Sequence, residues 1–242
     1  MIGNEHRQAR IDLAAALRLA VRFGFHEGID NHFTVMLPGE KDRFLLHPYG
    51  LHWSEMTASK LLIVDYEGKR IEGEGEIESS AFHIHSRIHR ASQRAACVLH
   101  SHMPYTTALT MVEGGRLEPV SQNALRFYDD VAYDDVYNGL VFDSDEGDRL
   151  AGALAEKRVL FCGNHGVIVV GRSVAEAFDD LYFLERACEA QVLAMSTGRR
   201  LRHVADDVAK STFGNYDMAP FARQHFDALK RLLDRDEPAY AN

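Results

Sequence analysis

His100 and His102, one residue apart, together with His165, are the residues through which this chain can do chemistry. Ala95-Ala-Cys-Val-Leu99 is a short apolar run that reads as a buried strand. Side chains two apart on a strand share a face, so His100 and His102 leave its end side by side, placed to offer two imidazoles to one metal ion. Val159-Leu-Phe-Cys162 and Gly166-Val-Ile-Val-Val170 are two further apolar runs, and Gly163-Asn164-His165 between them puts His165 on a tight turn at a strand end. Three histidines without a fourth protein ligand match a catalytic divalent site with open positions rather than a closed structural one. Such a cation, chelated by a hydroxyl and a carbonyl, stabilises the enolate-like charge left when a carbon–carbon bond breaks. Against this stands ordinary surface polarity, because a strand-end His-x-His is a short motif that recurs by chance.

The elements that must position these residues follow from periodicity. Ile11, Leu13, Ala14, Leu17, Ala20 and Val21 form a helical stripe within 5–23, ended by Gly24 and Gly28. His32–Leu37 and Arg43–Leu46, separated by Pro38-Gly39, read as a β-hairpin. Ser54 and Thr57 cap a short helix before the strand Leu61–Val64, and Glu67-Gly68 turns that strand toward Lys69-Arg-Ile71. Ser80 to about Ala91 is a helix leading into the strand that carries His100, and Pro104 opens the next one. Ser173-Val-Ala-Glu176 is a capping box for a long helix reaching Gly198. Met218–Leu233 is a further amphipathic helix, in a C-terminal helical tail of about 205–242.

Beyond the three histidines, several segments carry a resemblance in fixed order: Asp30-Asn-His-Phe-Thr34, Phe44-Leu-Leu-His-Pro-Tyr-Gly50, Ile63-Val-Asp-Tyr-Glu-Gly68, Ser79-Ser80, Val98-Leu-His-Ser-His-Met-Pro-Tyr105 and Gly163-Asn-His-Gly-Val167. From about residue 8 to about residue 200 the chain resembles the class II aldolase/adducin family. The resemblance implies an α/β fold, a single three-layer α/β/α domain over 1–242 with a central mixed, largely antiparallel sheet. It also implies a zinc or similar ion (manganese or iron also fill such sites) held by His100, His102 and His165. Substrate-binding positions carried over are Asn31, His47, Tyr49, Gly50, Ser79 and Ser80, and the assembly implied is a homotetramer.

This chain departs from the aldolase pattern at two places. Sugar-phosphate aldolases follow their two serines with a metal-contacting, proton-moving glutamate, and here Ser79-Ser80 are followed by Ala81. Glu78 just upstream is then the candidate proton carrier, or else a solvated acid beside the charged turn Glu72–Glu76. The resemblance also places a tyrosine beyond the metal strand, near Asn123 by count, and Tyr128 is the candidate there. Where the aldolases grip phosphate with a Thr-Pro-Ser-Gly turn, this chain has His47-Pro48-Tyr49-Gly50, in which Tyr49 is too bulky to nest a phosphate easily. His47 binds a carboxylate or is a structural histidine, and Trp53 reads as packing. His85 and His89 share a helix face and read as helix-face residues, with His83 incidental.

Composition narrows the partners. The 242 residues are 46% hydrophobic, enough for a substantial core, and their formal charge of −9 argues against nucleic acid. No apolar run approaches a membrane span, and the N-terminus does not read as a secretion signal. Cys97, Cys162 and Cys188 are scattered and read as reduced, buried thiols of a cytoplasmic protein. There is no serine elbow, Gly-x-Gly-x-x-Gly or phosphate loop. The aromatic, acidic stretch Phe127–Tyr137 reads as part of a subunit interface that completes each pocket. The function expected is a metal-dependent carbon–carbon lyase acting on a small hydroxy- or oxo-substituted substrate by retro-aldol chemistry. A metal-dependent decarboxylase of a hydroxylated carboxylic acid, aromatic ones included, is the alternative, and a non-catalytic module like the adducin head is the third.

Overall fold

Alternation along the strands decides the architecture, because most of them carry apolar residues on both faces and must be covered on both. The structure is a computed structural model and describes residues 2–141, 143–215 and 218–242. Its strands are β1 (His32–Met36), β2 (Arg43–Leu46), β3 (Leu62–Asp65), β4 (Arg70–Glu72), β5 (Cys97–Ser101), β6 (Val131–Asp134), β7 (Val159–Cys162) and β8 (Gly166–Gly171). They form one sheet in the order β4-β3-β2-β1-β5-β8-β7-β6. All neighbours are antiparallel except β6 and β7, so the sheet is mixed and largely antiparallel.

The helices are α1 (Ile2–Phe23), α2 (Ser79–Ala91), α3 (Pro104–Thr110), α4 (Gln122–Leu125), α5 (Ser144–Leu154), α6 (Val174–Met195), α7 (Asp206–Gly214) and α8 (Met218–Asp236). Cys97 and Leu99 of β5 pack with α1, α6 and α8 in the larger core. Val98 turns the other way, toward Ile84 and Ile88 of α2 and Leu150 and Leu154 of α5. Three layers result, helix on sheet on helix. Phe226, Leu229, Leu233 and Tyr240 lie in the same core as α1 and α6, so the C-terminal residues are built into the fold. No described helix is long and apolar enough to cross a membrane.

Local expectations are corrected in three places. Ser54 caps nothing: residues 53–55 form a 3-10 turn whose N-cap is His52, its ring taking the Ser54 N–H at 3.2 Å while Glu55 takes the His52 N–H at 3.1 Å. Ser173 does cap α6, but the Glu176 carboxylate reaches past it to Arg172 N at 3.2 Å, leaving the capping box half made. The stretch 127–137 is not one free loop. Its centre, Val131–Asp134, is the edge strand β6, whose Tyr133 ring stacks on Phe161 of β7 at 5.3 Å.

Candidate metal centre

The sheet delivers all three histidines to one end of its α2-facing side. His100 lies inside β5, opposite Ile168 of β8 and opposite His32 of β1. His102 follows just beyond the strand, and the Pro104 start of α3 carries the chain away. Glu185 of α6 anchors that start, its carboxylate accepting the Tyr105 and Thr106 N–H groups at 2.8 and 2.9 Å. Such a cap satisfies donors that a helix N-terminus leaves unpaired, and burial raises the Glu185 carboxyl above its ordinary range. His165 sits on the three-residue turn joining β7 to β8, where Asn164 takes a left-handed φ of 56° that asparagine tolerates. Gly166 makes the approach of this turn feasible. A Cβ there would lie 2.5 Å from Ser101 O and 2.8 Å from the His102 ring.

One ring nitrogen from each of His100, His102 and His165 lies within 4.8 Å of the others. Hydrogen bonding fixes which nitrogens are free. His100 Nδ1 is 3.0 Å from Val167 O, which only accepts, so Nδ1 carries the hydrogen and Nε2 of the neutral ring is bare. His102 Nδ1 is 2.8 Å from the Glu27 carboxylate, with the same consequence. With both rings in the neutral form that ligates metal, the two Nε2 atoms face each other across 3.0 Å with no hydrogen between them. Two lone pairs so close repel, and a cation between them removes the conflict. A carbonyl or carboxylate behind each imidazole is also the usual outer support of a metal site. The residues present therefore fit a divalent ion. Burial lowers the pKa of His165 to about 4, helped by nearby His102, and burial puts His100 well below the ordinary value, so these rings stay in the ligating form at neutral pH.

A cavity of about 250 Å³ opens over these rings. Of the sequence candidates, Asn31, Tyr49, Glu78 and Ser80 line it along with the three histidines. Asn31, at φ 75°, accepts from His102 N at 3.5 Å and keeps a buried Nδ2 without a partner among the described residues. Glu78 caps α2, its Oε2 accepting from Ala81 N at 2.5 Å and from Ser80 Oγ at 2.7 Å. Ala81 itself faces away, buried with Phe44, Leu46, Leu62 and Val64.

Other candidates fall outside the cavity lining of this chain. Ser79 is exposed at the first position of α2, and Gly50 turns the chain at φ 85°. His47 is buried, its Nε2 accepting from Trp53 Nε1 at 3.2 Å, and burial lowers its pKa to about 4. The Tyr128 hydroxyl donates to Asp206 of α7, away from the histidines. Tyr137 lies by the site instead, its ring 6.1 Å from that of His165. Sequence reasoning also passed over His32, whose ring lies 4.7 Å from that of His100 and lines the cavity. His32 and Thr34 of β1 pair with His100 and Val98 of β5 on one sheet face, a register that no local signal in the sequence marks. The apolar wall of Ile84, Leu140 and Val141 carried no signal either.

Comparisons with known proteins agree with this geometry. The family described as Class II Aldolase and Adducin N-terminal domain matches residues 11–192. A Caulobacter vibrioides protein whose name places it with the class 2 aldolases is 36% identical over 240 residues, which are 97% of this chain and 92% of that protein. Among solved structures, an aldolase II superfamily protein from Pseudomonas syringae superposes with a TM-score of 0.92 at 34% identity, covering 98% of this chain and 96% of that one. The L-fuculose 1-phosphate aldolase from Glaciozyma antarctica superposes with a TM-score of 0.86 at 28% identity, covering 97% and 93%.

Proposed function

This chain belongs to the class II aldolase and adducin family, and we propose that it is a divalent-metal-dependent lyase that cleaves a carbon–carbon bond in a small hydroxy- or oxo-substituted substrate by retro-aldol chemistry. The observation that carries this reading is the pair of bare Nε2 atoms of His100 and His102, 3.0 Å apart, with His165 beside them. Zinc suits three neutral imidazoles best, ahead of manganese and iron. When bound, the ion supplies a Lewis acid that holds the negative charge developing on the substrate oxygens.

The rest falls to the chain's own groups. Glu78 is the proton carrier: its carboxylate lines the same cavity, is held by Ala81 N and Ser80 Oγ, and moves the proton at its Oε atoms. Tyr137 is the second group in reach for proton transfer. Asn31, with a donor to spare, offers its amide to a substrate oxygen. Tyr49 crowds the turn that would otherwise cradle a phosphate, which favours a substrate without one, unlike the L-fuculose 1-phosphate named for the Glaciozyma enzyme.

The apolar wall of Ile84, Leu140 and Val141 favours a second reading, decarboxylation of a hydroxylated aromatic acid. Leu140, Val136 and Tyr137 beside the site and Met111 and Val112 just after α3 are all exposed. Exposed apolar groups gathered together mark interaction surfaces, and we assign this flank to a homo-oligomer, a tetramer by family likeness. The test is to load metal-free protein with zinc and screen hydroxy and oxo acids and sugars for aldehyde or CO2 release. Aldehyde supports the lyase reading and CO2 the second one. Neither, from protein with zinc bound, contradicts both and leaves a module that binds without catalysis.

A further inference from the structure

A buried chain of hydrogen bonds runs from the edge of α2 to the cavity, and its direction can be read from one end. His89 Nδ1 lies 2.5 Å from Ala95 O. A carbonyl only accepts, so Nδ1 carries the hydrogen, and Nε2 of the neutral ring is bare. Thr34 Oγ1, 2.8 Å from His89 Nε2, must therefore donate to it. That uses the only hydroxyl hydrogen. Thr34 Oγ1 then accepts from His85 Nδ1 at 2.6 Å, which leaves His85 Nε2 bare. His32 Nδ1, 2.7 Å from His85 Nε2, must donate in turn. The contact of Thr34 Oγ1 with Val98 O, at 3.5 Å, is too long to compete.

The neutrality on which this reading depends comes from burial. His32, His85 and His89 are all buried and none touches a carboxylate among the described residues, so a charge on any of them would go unpaired. The remaining nitrogen, His32 Nε2, faces the cavity with its lone pair. Its one hydrogen-bonding neighbour among the described residues is Ser80 Oγ at 3.4 Å, and the Ser80 hydrogen already goes to Glu78 at 2.7 Å.

We infer that His32 Nε2 is a fixed hydrogen-bond acceptor in the cavity and selects a substrate that places a hydroxyl against it. A carboxylate, phosphate or ketone oxygen at that point would meet lone pair with lone pair and be disfavoured. His85, Thr34 and His89 are positioning residues, which lock the His32 tautomer without touching substrate. This deepens the lyase reading and rests on it for where substrate lies.

Two measurements test it. In metal-free protein, imidazole 15N–1H correlation spectra give the tautomer of each ring. The expected result is Nδ1–H for His32, His85 and His89, retained in Thr34→Ser and lost at His32 in Thr34→Val, which is close to isosteric. A charged or Nε2–H His32 in the unaltered protein would overturn the inference. The second measurement compares glycolohydroxamate with acetohydroxamate, which lacks only the hydroxyl, as ligands of the zinc-loaded protein. One hydrogen bond of ordinary strength predicts roughly tenfold tighter binding of the hydroxylated probe. The preference should persist in Thr34→Ser and fall to about one in Thr34→Val. Equal affinities in the unaltered protein would refute hydroxyl selection. Failure of both probes to bind would count against the metal reading, while the tautomer spectra of metal-free protein would still decide whether His32 is the fixed acceptor.

Discussion

Replacing Glu27 with glutamine tests the support behind the metal ligands without touching a ligand. Glu27 Oε2 accepts the His102 Nδ1 hydrogen at 2.8 Å, and the carboxylate both fixes the ring tautomer and makes Nε2 a stronger donor to metal. Loss of an outer partner of this kind costs about 10–100-fold in metal affinity. The Glu27 side chain is 64% exposed, against 20% for His102, so water screens much of its charge. The effect should therefore fall at the low end, about tenfold or roughly 1.4 kcal/mol. Glutamine keeps an oxygen able to accept and leaves the backbone bridge from Glu27 to Asp30 in place, so the fold should not change. The assay is competition for zinc against a chromophoric chelator at neutral pH, with Glu27→Gln and His102→Ala measured side by side. Affinity within twofold of the unaltered protein would refute the role given to Glu27, and so would a loss as large as that of His102→Ala.

Three further predictions follow from burial. His47 and His89 both have pKa values lowered to about 4 by burial. In the unfolded chain they would take protons below about 6.5, so folding stability is fully present above that pH and lost progressively down to about 4, by roughly 3 kcal/mol per ring. Denaturant titrations of metal-free protein at pH 7 and pH 4.5 check this, and equal stabilities would contradict it. Ala81→Glu should not raise turnover, because position 81 points into an apolar cluster; burying an unpaired acid there should cost about 3 kcal/mol or more, read as a lowered Tm. Glu78→Gln keeps an oxygen for the α2 cap but removes the titrating group, so turnover should fall about 100-fold or more with metal content unchanged. Full activity would remove Glu78 from the mechanism.

The two-residue spacing of His100 and His102 on a strand, and the apolar runs flanking His165, made the three-histidine centre legible in the sequence. Both signals are local, and the sheet simply carries them to one end. The largely antiparallel sheet was legible through family likeness, whereas α5 and the edge strand β6 were not marked by periodicity: β6 is four residues long and half-buried. The buried chain beyond the metal was invisible for a different reason. His32, Thr34, His85 and His89 come from two elements some fifty residues apart, and a helical His pair by itself reads as a polar face. Only the packing of α2 across β1 turns that pair inward, to 0% exposure at His85. Tyr137 and Glu27 escaped because loop residues follow no period, and Glu78 escaped a firm assignment because its role depends on where α2 begins.

The central claim is that His100, His102 and His165 hold one divalent ion. It is tested most directly by an anomalous-scattering crystal structure of protein equilibrated with zinc at neutral pH, paired with the metal content of the same sample. The account predicts one zinc per chain, about 2.0–2.1 Å from a ring nitrogen of each of the three histidines, and none retained in His100→Ala. Zinc bound elsewhere, or the three rings left without it in protein saturated with the ion, would contradict it.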